Sequence, residues 1–156
     1  MSRTGKVVGI CVAHTKGQPV IELASVIAIT GAGLTGDRYA AGAGSFNKGQ
    51  VGKRQVTIMN ARFFPGSGFE FAESRRNLLF ENIELLWLIG REFPVGPKVR
   101  MRGVKYCEPC MRPSKLAGKT ARFEDAFLDC GGIIAEVLEG GLISMNDQVI
   151  QPPRGY

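Results

Sequence analysis

Two of the four cysteines in this 156-residue sequence, Cys107 and Cys110, are spaced C-x-x-C inside the stretch YCEPCMRPSKL, residues 106–116. A thiolate is both a strong nucleophile and a soft ligand, suited to molybdenum, zinc or a persulfide sulfur. Pro109 stiffens the turn and puts Cys110 directly after an expected strand end, and the neighbouring Arg112 and Lys115 would stabilise a thiolate. Four chemistries compete for the segment. Structural zinc needs four ligands, whereas the chain offers one C-x-x-C and a single histidine, His14. A thioredoxin-like pair needs a long helix after a strand, and Pro113 and Gly118 interrupt any such helix. An inert cysteine pair in a turn, and Cys110 as a metal ligand or sulfur-carrying nucleophile, both stay open on spacing alone. A lone histidine leaves little scope for a Ser-His-Asp triad, and a dyad of Cys110 with His14 has no further support.

Two other clusters bear on an anionic ligand. Arg75-Arg76-Asn77 offers two guanidinium forks that match a phosphate, with Asn77 adding a donor and an acceptor; a solvated basic turn reads equally well. Lys53-Arg54 would add to the same positive surface. Gly36-Asp37-Arg38 sits in a glycine-rich segment: Gly36 permits a positive φ or a close backbone approach, and Asp37 and Arg38 either hold the loop or meet a polar ligand. The whole chain carries 20 Lys+Arg against 14 Asp+Glu, a net charge of +6 that favours phosphate, an acidic cofactor or nucleic acid. No aromatic residues interleave with the basic ones in a stacking pattern, which disfavours nucleic acid.

These residues need elements to position them. Residues 6–13 (KVVGICVA) and 19–30 (PVIELASVIAIT) read as strands parted by a turn at Gly17-Gln18. Seven glycines between residues 31 and 52 (31, 33, 36, 42, 44, 49 and 52) demand a long loop, functional or mobile. Alternation in 54–59 (RQVTIM) predicts a half-buried strand, followed by an Asn60-capped helical turn over 61–64. Residues 77–81 are expected as a strand, 83–89 (IELLWLI) as a short helix stopped by Gly90, and 92–104 as a strand or strand pair bent at Pro94 and Gly96-Pro97. Thr120 is expected to cap a helix through Asp129, with Phe123, Ala126 and Phe127 facing the core and Ala121, Glu124 and Asp125 outward. Gly131-Gly132 then opens a strand over 133–138, and Gly140-Gly141 predicts a hairpin into a last strand, 142–150. Residues 152–156 read as a loose tail. Many short strands, a few short helices and no β-α-β alternation predict a mainly β fold, a closed or strongly curved β-barrel.

A chain of this length suits one domain spanning 1–156. No apolar run approaches the roughly 20 residues a membrane span needs, since Glu22 and Ser25 interrupt the best candidate. The N-terminus has no secretory pattern, and four cysteines are too few for a disulfide scaffold, so the expected location is cytoplasmic, with Cys11 and Cys130 as buried thiols.

Taken in order, GLTGDRY (33–39), RQVTIM (54–59), RRNLLFENIEL (75–85), GREFPVGPKVRM (90–101), CEPC (107–110) and FEDAFLDCGGIIAEVLEGGLISMNDQV (123–149) resemble the MOSC domain, named for the C-terminal part of molybdenum cofactor sulfurases. No one of these is specific; six in the family's order are. The resemblance, closest in length to small free-standing bacterial members, implies a MOSC-type β-barrel in which Cys110 binds molybdenum or carries sulfur. It implies that Arg75, Arg76 and Asn77 grip the phosphate and pterin end of a molybdopterin-type cofactor. Some members reduce N-hydroxylated compounds with electrons from partner proteins, so an electron-donor or sulfur-donor protein is an expected partner. A sulfur or cofactor carrier without turnover, and a binding module that uses its basic face for an anionic partner, are the alternatives. The pyridoxal phosphate associated with the larger sulfurases belongs to a fused domain with no equivalent here. Three departures fall on the substrate pocket and donor surface rather than the barrel: Asn146-Asp147 replaces a usual Gly-Asp, Cys130 stands where an arginine commonly precedes the Gly-Gly pair, and the segment between Met59 and Arg75 is short.

Overall fold

The β-branched run near the N-terminus does form a strand, β1 (Arg3–Val12), and its inward residues are buried from Val7 onward. The computed structural model describes residues 3–154. Around β1 the chain lays β6 (Leu78–Glu81), β5 (Val56–Asn60), β9 (Ile133–Glu139), β8 (Val99–Tyr106), β7 (Glu92–Val95) and β11 (Gln148–Gln151). The last of these pairs back onto β1, from Arg3 with Gln151 to Lys6 with Gln148, and closes a seven-strand barrel. All neighbours are antiparallel except β5 and β6, which run parallel, so the barrel is mixed. Closure satisfies strand edges that would otherwise be open. Val7, Ile58, Leu78, Phe80, Phe93, Met101, Ile133 and Val149 fill the interior with no measurable exposure, and Phe80 meets Phe93 edge to face at 6.4 Å.

The strand expected over 19–30 is broken. β2 (Ile21–Glu22) extends the edge of β1, and β3 (Ser25–Ile29) leaves for a small sheet ordered β10-β3-β4, with β4 at Gly33–Leu34 and β10 at Gly141–Ser144. Leu23 still donates its N–H to the Ile10 carbonyl, continuing the β1 edge, and the switch comes at Ala24, whose carbonyl accepts from the Met145 N–H. The Gly140-Gly141 pair likewise changes sheets and makes no hairpin: β9 pairs with β5 and β8, while β10 pairs with β3. The last strand divides at a turn where Asn146 takes φ 72.

Helices are fewer and shorter than the patterns suggest. Residues 85–88 form only a 3-10 turn, because a seven-residue apolar stretch cannot repay helix nucleation and Ile89 instead bridges to Gly103. The Thr120-capped helix is a single turn, α3 (Phe123–Ala126), preceded by Arg122 as its cap and closed before Asp129, which takes φ 61. Phe123 and Phe127 are buried as expected, but Ala126 is exposed. With Met59 and Phe69 these rings build a second apolar cluster outside the barrel. Two short helices have no forecast in the pattern: α1 (Phe71–Ser74) and α2 (Arg112–Ala117). No helix among the described residues is long and apolar enough to cross a membrane. Of the segment read as a loose tail, Pro152 accepts from the Trp87 indole at 2.8 Å and Arg154 stacks on Trp87 and pairs with Glu84, whereas Gly155 and Tyr156 lie outside the described residues.

The glycine-rich loop is braced by buried polar groups. Asp37, fully buried, accepts hydrogen bonds from the Ala13 N–H (2.9 Å) and the Tyr39 N–H (3.2 Å) and pairs with Arg38 at 3.1 Å. Asn47 donates its amide to the carbonyls of Tyr39, Gln50 and Arg54. Further along, a Cβ at Gly132, which has φ 91, would sit 1.9 Å from the Ile58 carbonyl oxygen. Only glycine lets this segment lie against β5.

Two stability changes follow. Asp37→Ala leaves the Arg38 charge buried and the Ala13 and Tyr39 amides unpaired, so thermal unfolding should show a loss of about 3 kcal/mol or more. Gly132→Ala should cost at least about 2 kcal/mol in the same measurement, since both φ and space forbid it.

Candidate functional site

After β8 the chain makes the C-E-P-C turn and enters α2, whose first turn holds Pro113 and whose end is a left-handed Gly118. Pro113 therefore starts this helix rather than interrupting it, although six residues make no thioredoxin-like helix. The turn treats its two cysteines oppositely. Cys107 is buried, its N–H bonded to the Gly132 carbonyl, while Cys110 is exposed. All four cysteines are free thiols, and no group of three or more His, Cys, Asp or Glu among the described residues could hold a metal ion, which removes the zinc reading. Burial pushes the Cys11 thiol up to about 12 and makes it inert.

Cys110 opens onto a narrow cleft whose charged walls are five arginines: Arg38, Arg54, Arg75, Arg76 and Arg112. No acidic side chain lines it; Asp37 lies behind Arg38 as that group's counter-ion. Each guanidinium is anchored. Arg38 reaches the Tyr39 hydroxyl at 3.0 Å and the Arg75 carbonyl at 3.3 Å. Arg75, at the left-handed end of α1 with φ 61, donates to the Gln18 carbonyl at 2.5 Å. Arg76 donates through Nε to the Gly131 carbonyl at 3.2 Å and more weakly to the Glu108 carbonyl at 3.5 Å. Arg112 donates to the Ser45 hydroxyl at 2.7 Å, and Arg54 lies 4.1 Å over the Phe46 ring. Burial first, then the charges of Arg38 and Arg112, hold the Arg75 guanidinium below its ordinary value. A cluster of this sign is stabilised by an anion.

Sequence reasoning and structure part company at three named residues. Asn77 does not face the cleft. Its side-chain oxygen accepts from the Thr57 N–H and hydroxyl, and its amide donates to the Cys11 carbonyl, so it ties β5 to β1. Asp37 is an internal brace. Gly36 is a turn with φ 81 whose carbonyl lies 2.7 Å from His14 Nδ1, so His14 serves the loop and is not a partner of Cys110. The structure does bring Arg38, Arg75, Arg76 and Cys110 together, from three distant stretches of chain.

A larger cavity of about 540 Å³ lies elsewhere, between the 3-10 turns at 61–63 and 85–88 and the 129–132 loop, with Asn60, Arg62, Trp87, Tyr106 and Cys130 on its walls. Cys130, read as a buried thiol, is half-buried there. No spacing signal marks this cavity, because its walls come from five separated segments.

No family model matches the chain, and no curated protein matches it. Solved structures do. The YuaD protein of Bacillus subtilis superposes with a TM-score of 0.79 at 16% identity, over 98% of this chain and 99% of that one. YiiM of Geobacillus stearothermophilus gives 0.65 at 14% identity, over 97% of this chain and 76% of its own, and YiiM of Escherichia coli gives 0.57 at 17%, over 99% and 71%. At such identities these likenesses speak for architecture alone: the chain has a fold like that of the MOSC-domain protein YiiM, built on a closed seven-strand mixed barrel.

Proposed function

We propose that the five-arginine cleft takes the phosphate of a molybdopterin-type molybdenum cofactor, with Cys110 as the soft ligand or sulfur-bearing atom beside it. One observation carries this reading: the outward thiol of Cys110 opens on a cleft with no charged walls other than guanidinium groups. The donor set fits such a group, since a thiolate suits molybdenum and arginine forks suit phosphate oxygens. The cleft itself has a volume of only about 30 Å³, enough for a small oxyanion. The rest of a cofactor would lie in the adjoining groove of about 500 Å³, which shares Ser45 and Arg112 with the cleft and adds Lys16, Met111 and Lys115. When bound, such a cofactor supplies a metal that cycles between oxidation states, as cleavage of an N-hydroxylated compound requires.

The chain's own residues have defined parts in this reading. Arg75 and Arg76 are held by backbone carbonyls through some of their N–H groups, which leaves the others for the anion. Arg38 stays fixed by Asp37 and Tyr39, so the cleft keeps its shape when empty. Arg112, the one exposed arginine of the five, meets the anion from the side of α2. An electron-donor or sulfur-donor protein would approach Cys110 across the exposed Met111, Lys115 and Leu116.

A second reading rests on the cleft's size. A volume near 30 Å³ suits a sulfane sulfur on Cys110 better than a bicyclic ring, which favours a sulfur carrier without turnover. An anion-binding module is what remains if Cys110 carries nothing.

Two measurements decide. Protein and its Cys110→Ser variant, purified from molybdate-replete cells, should differ in metal and pterin content, with metal in the parent alone; reduction of an N-hydroxylated base by the parent would add turnover. Sulfane sulfur without metal would favour the carrier, and neither in either protein would leave only the binding module. Separately, calorimetric titration with inorganic phosphate should show saturable binding that weakens with ionic strength and falls roughly tenfold in Arg112→Ala. Phosphate affinity unchanged in that variant would remove the cleft as the anion site.

A further inference from the structure

Past Arg54 the arginine cleft runs on into a hollow of about 420 Å³, with which it shares Phe46 and Arg54. The groove described above joins the cleft through different residues, Ser45 and Arg112. The hollow's volume lies within the range of small-molecule sites. Three exposed lysines, Lys48, Lys53 and Lys105, stand on its walls, and none pairs with a carboxylate among the described residues. Its one acidic wall residue, Glu136, is already paired with Arg102 at 3.2 Å. Phe46 adds a ring that is 51% exposed, the one aromatic among the large apolar side chains exposed by the described residues. The Arg54 guanidinium lies 4.1 Å over this ring. Between Phe46 and Lys48, the Asn47 amide donates to the carbonyls of Tyr39, Gln50 and Arg54, so the turn that carries ring and lysine is braced before any ligand arrives.

We infer that this hollow holds a nucleoside diphosphate group: one phosphate enters the five-arginine cleft, the next meets the three lysines, and the base lies on Phe46. The assignment rests on the reading of the cleft as a phosphate site. At about 30 Å³ the cleft admits one small oxyanion and no more. A terminal phosphate there would leave Lys48, Lys53, Lys105 and the ring idle, whereas a diphosphate carries a second anion out of the cleft toward them. Arginine forks hold a phosphate directionally and lysines act on it as point charges, so the cleft fixes the first phosphate and the hollow attracts the second. Every base has a π face, and an aromatic ring with a guanidinium beside it accepts any of them. Other polyanions fit less well. A nucleic-acid strand needs successive stacking platforms, and Phe46 is one. An acidic protein surface would neutralise the lysines but leave the concave hollow unfilled.

Calorimetric titration of the protein with ADP, CDP, pyrophosphate and inorganic phosphate, at one ionic strength, reads the parts separately. Pyrophosphate should bind several-fold more tightly than phosphate, and ADP about tenfold more tightly than pyrophosphate, with CDP within a few-fold of ADP. Phe46→Ala should remove most of ADP's advantage over pyrophosphate. Lys105→Gln, an exposed position outside the cleft, should weaken ADP and pyrophosphate several-fold and leave inorganic phosphate at the parent's affinity. ADP no tighter than phosphate, pyrophosphate as tight as ADP, parent-like ADP affinity in both variants, or an oligouridylate strand bound far more tightly than UDP would each overturn the assignment. In those cases intact phosphate binding leaves the cleft reading standing, whereas no binding of any anion ends both. Acid release of nucleotide and pterin in equal amounts from the purified protein would mark the group as one end of a cofactor, and nucleotide without pterin would mark a free ligand; either supports the assignment.

Discussion

The Arg75-Arg76 turn is the joint on which the site hangs. Its backbone carbonyl at Arg75 receives Arg38 from the glycine-rich loop, its Arg76 side chain reaches the carbonyls of Gly131 and Glu108, and its Arg75 side chain reaches Gln18. Four segments far apart in sequence are thus tied to one left-handed corner at the end of α1. Backbone carbonyls, rather than carboxylates, carry most of these bonds. The consequence is electrostatic: carbonyl oxygens fix guanidinium groups in place without cancelling their charge. A cleft built with Asp or Glu in those positions would have the same shape and no pull on an anion.

The exception supports the rule. Arg38 does have a carboxylate, Asp37, and it is the most enclosed ion pair of the molecule's described residues, with side-chain exposures of 7% and 0%. Arg75 and Arg76, 8% and 7% exposed, are nearly as enclosed yet are held by backbone carbonyls, and Arg112 at the rim by the Ser45 hydroxyl. Of the five cleft arginines only Arg38 pairs with a carboxylate among the described residues, and Cys110 stands exposed beside the uncompensated charges. The thiols follow a parallel division. Cys11 and Cys107 are packed against strands, and Cys110 is turned outward by the Pro109 turn and the short helix that follows.

Close backbone approach completes the arrangement. Gly131 leaves no room for a side chain beside the Cys107 carbonyl and Pro109, and Gly132 leaves none beside Ile58. This contact seats the C-E-P-C turn on the barrel and at the same time forms the partition between the cleft and the larger cavity, since Gly131 bonds to Arg76 on one side and Tyr106 on the other. The Gly-Gly pair was legible in the sequence only as a strand opening; its use as a packing surface depends on which strand lies opposite.

Local periodicity carried the barrel: alternating and β-branched runs mark nearly every wall strand, because a half-buried strand must put apolar side chains on one face whatever its neighbours are. The outward cysteine and the arginine turn were also legible, since their chemistry is written in residue type. Tertiary structure alone decided which strands pair, and so sent Gly140-Gly141 between sheets instead of into a hairpin, cut 83–89 to a 3-10 turn, and spent Asn77 and Asp37 on the scaffold. It alone brought Arg38, Arg54, Arg75, Arg76 and Arg112 to one thiol and enclosed Asn60 in a cavity. The reason is one of range: a side chain's hydrogen-bond partners, and hence whether it is free for a ligand, lie across long sequence separations that neighbouring residues do not encode.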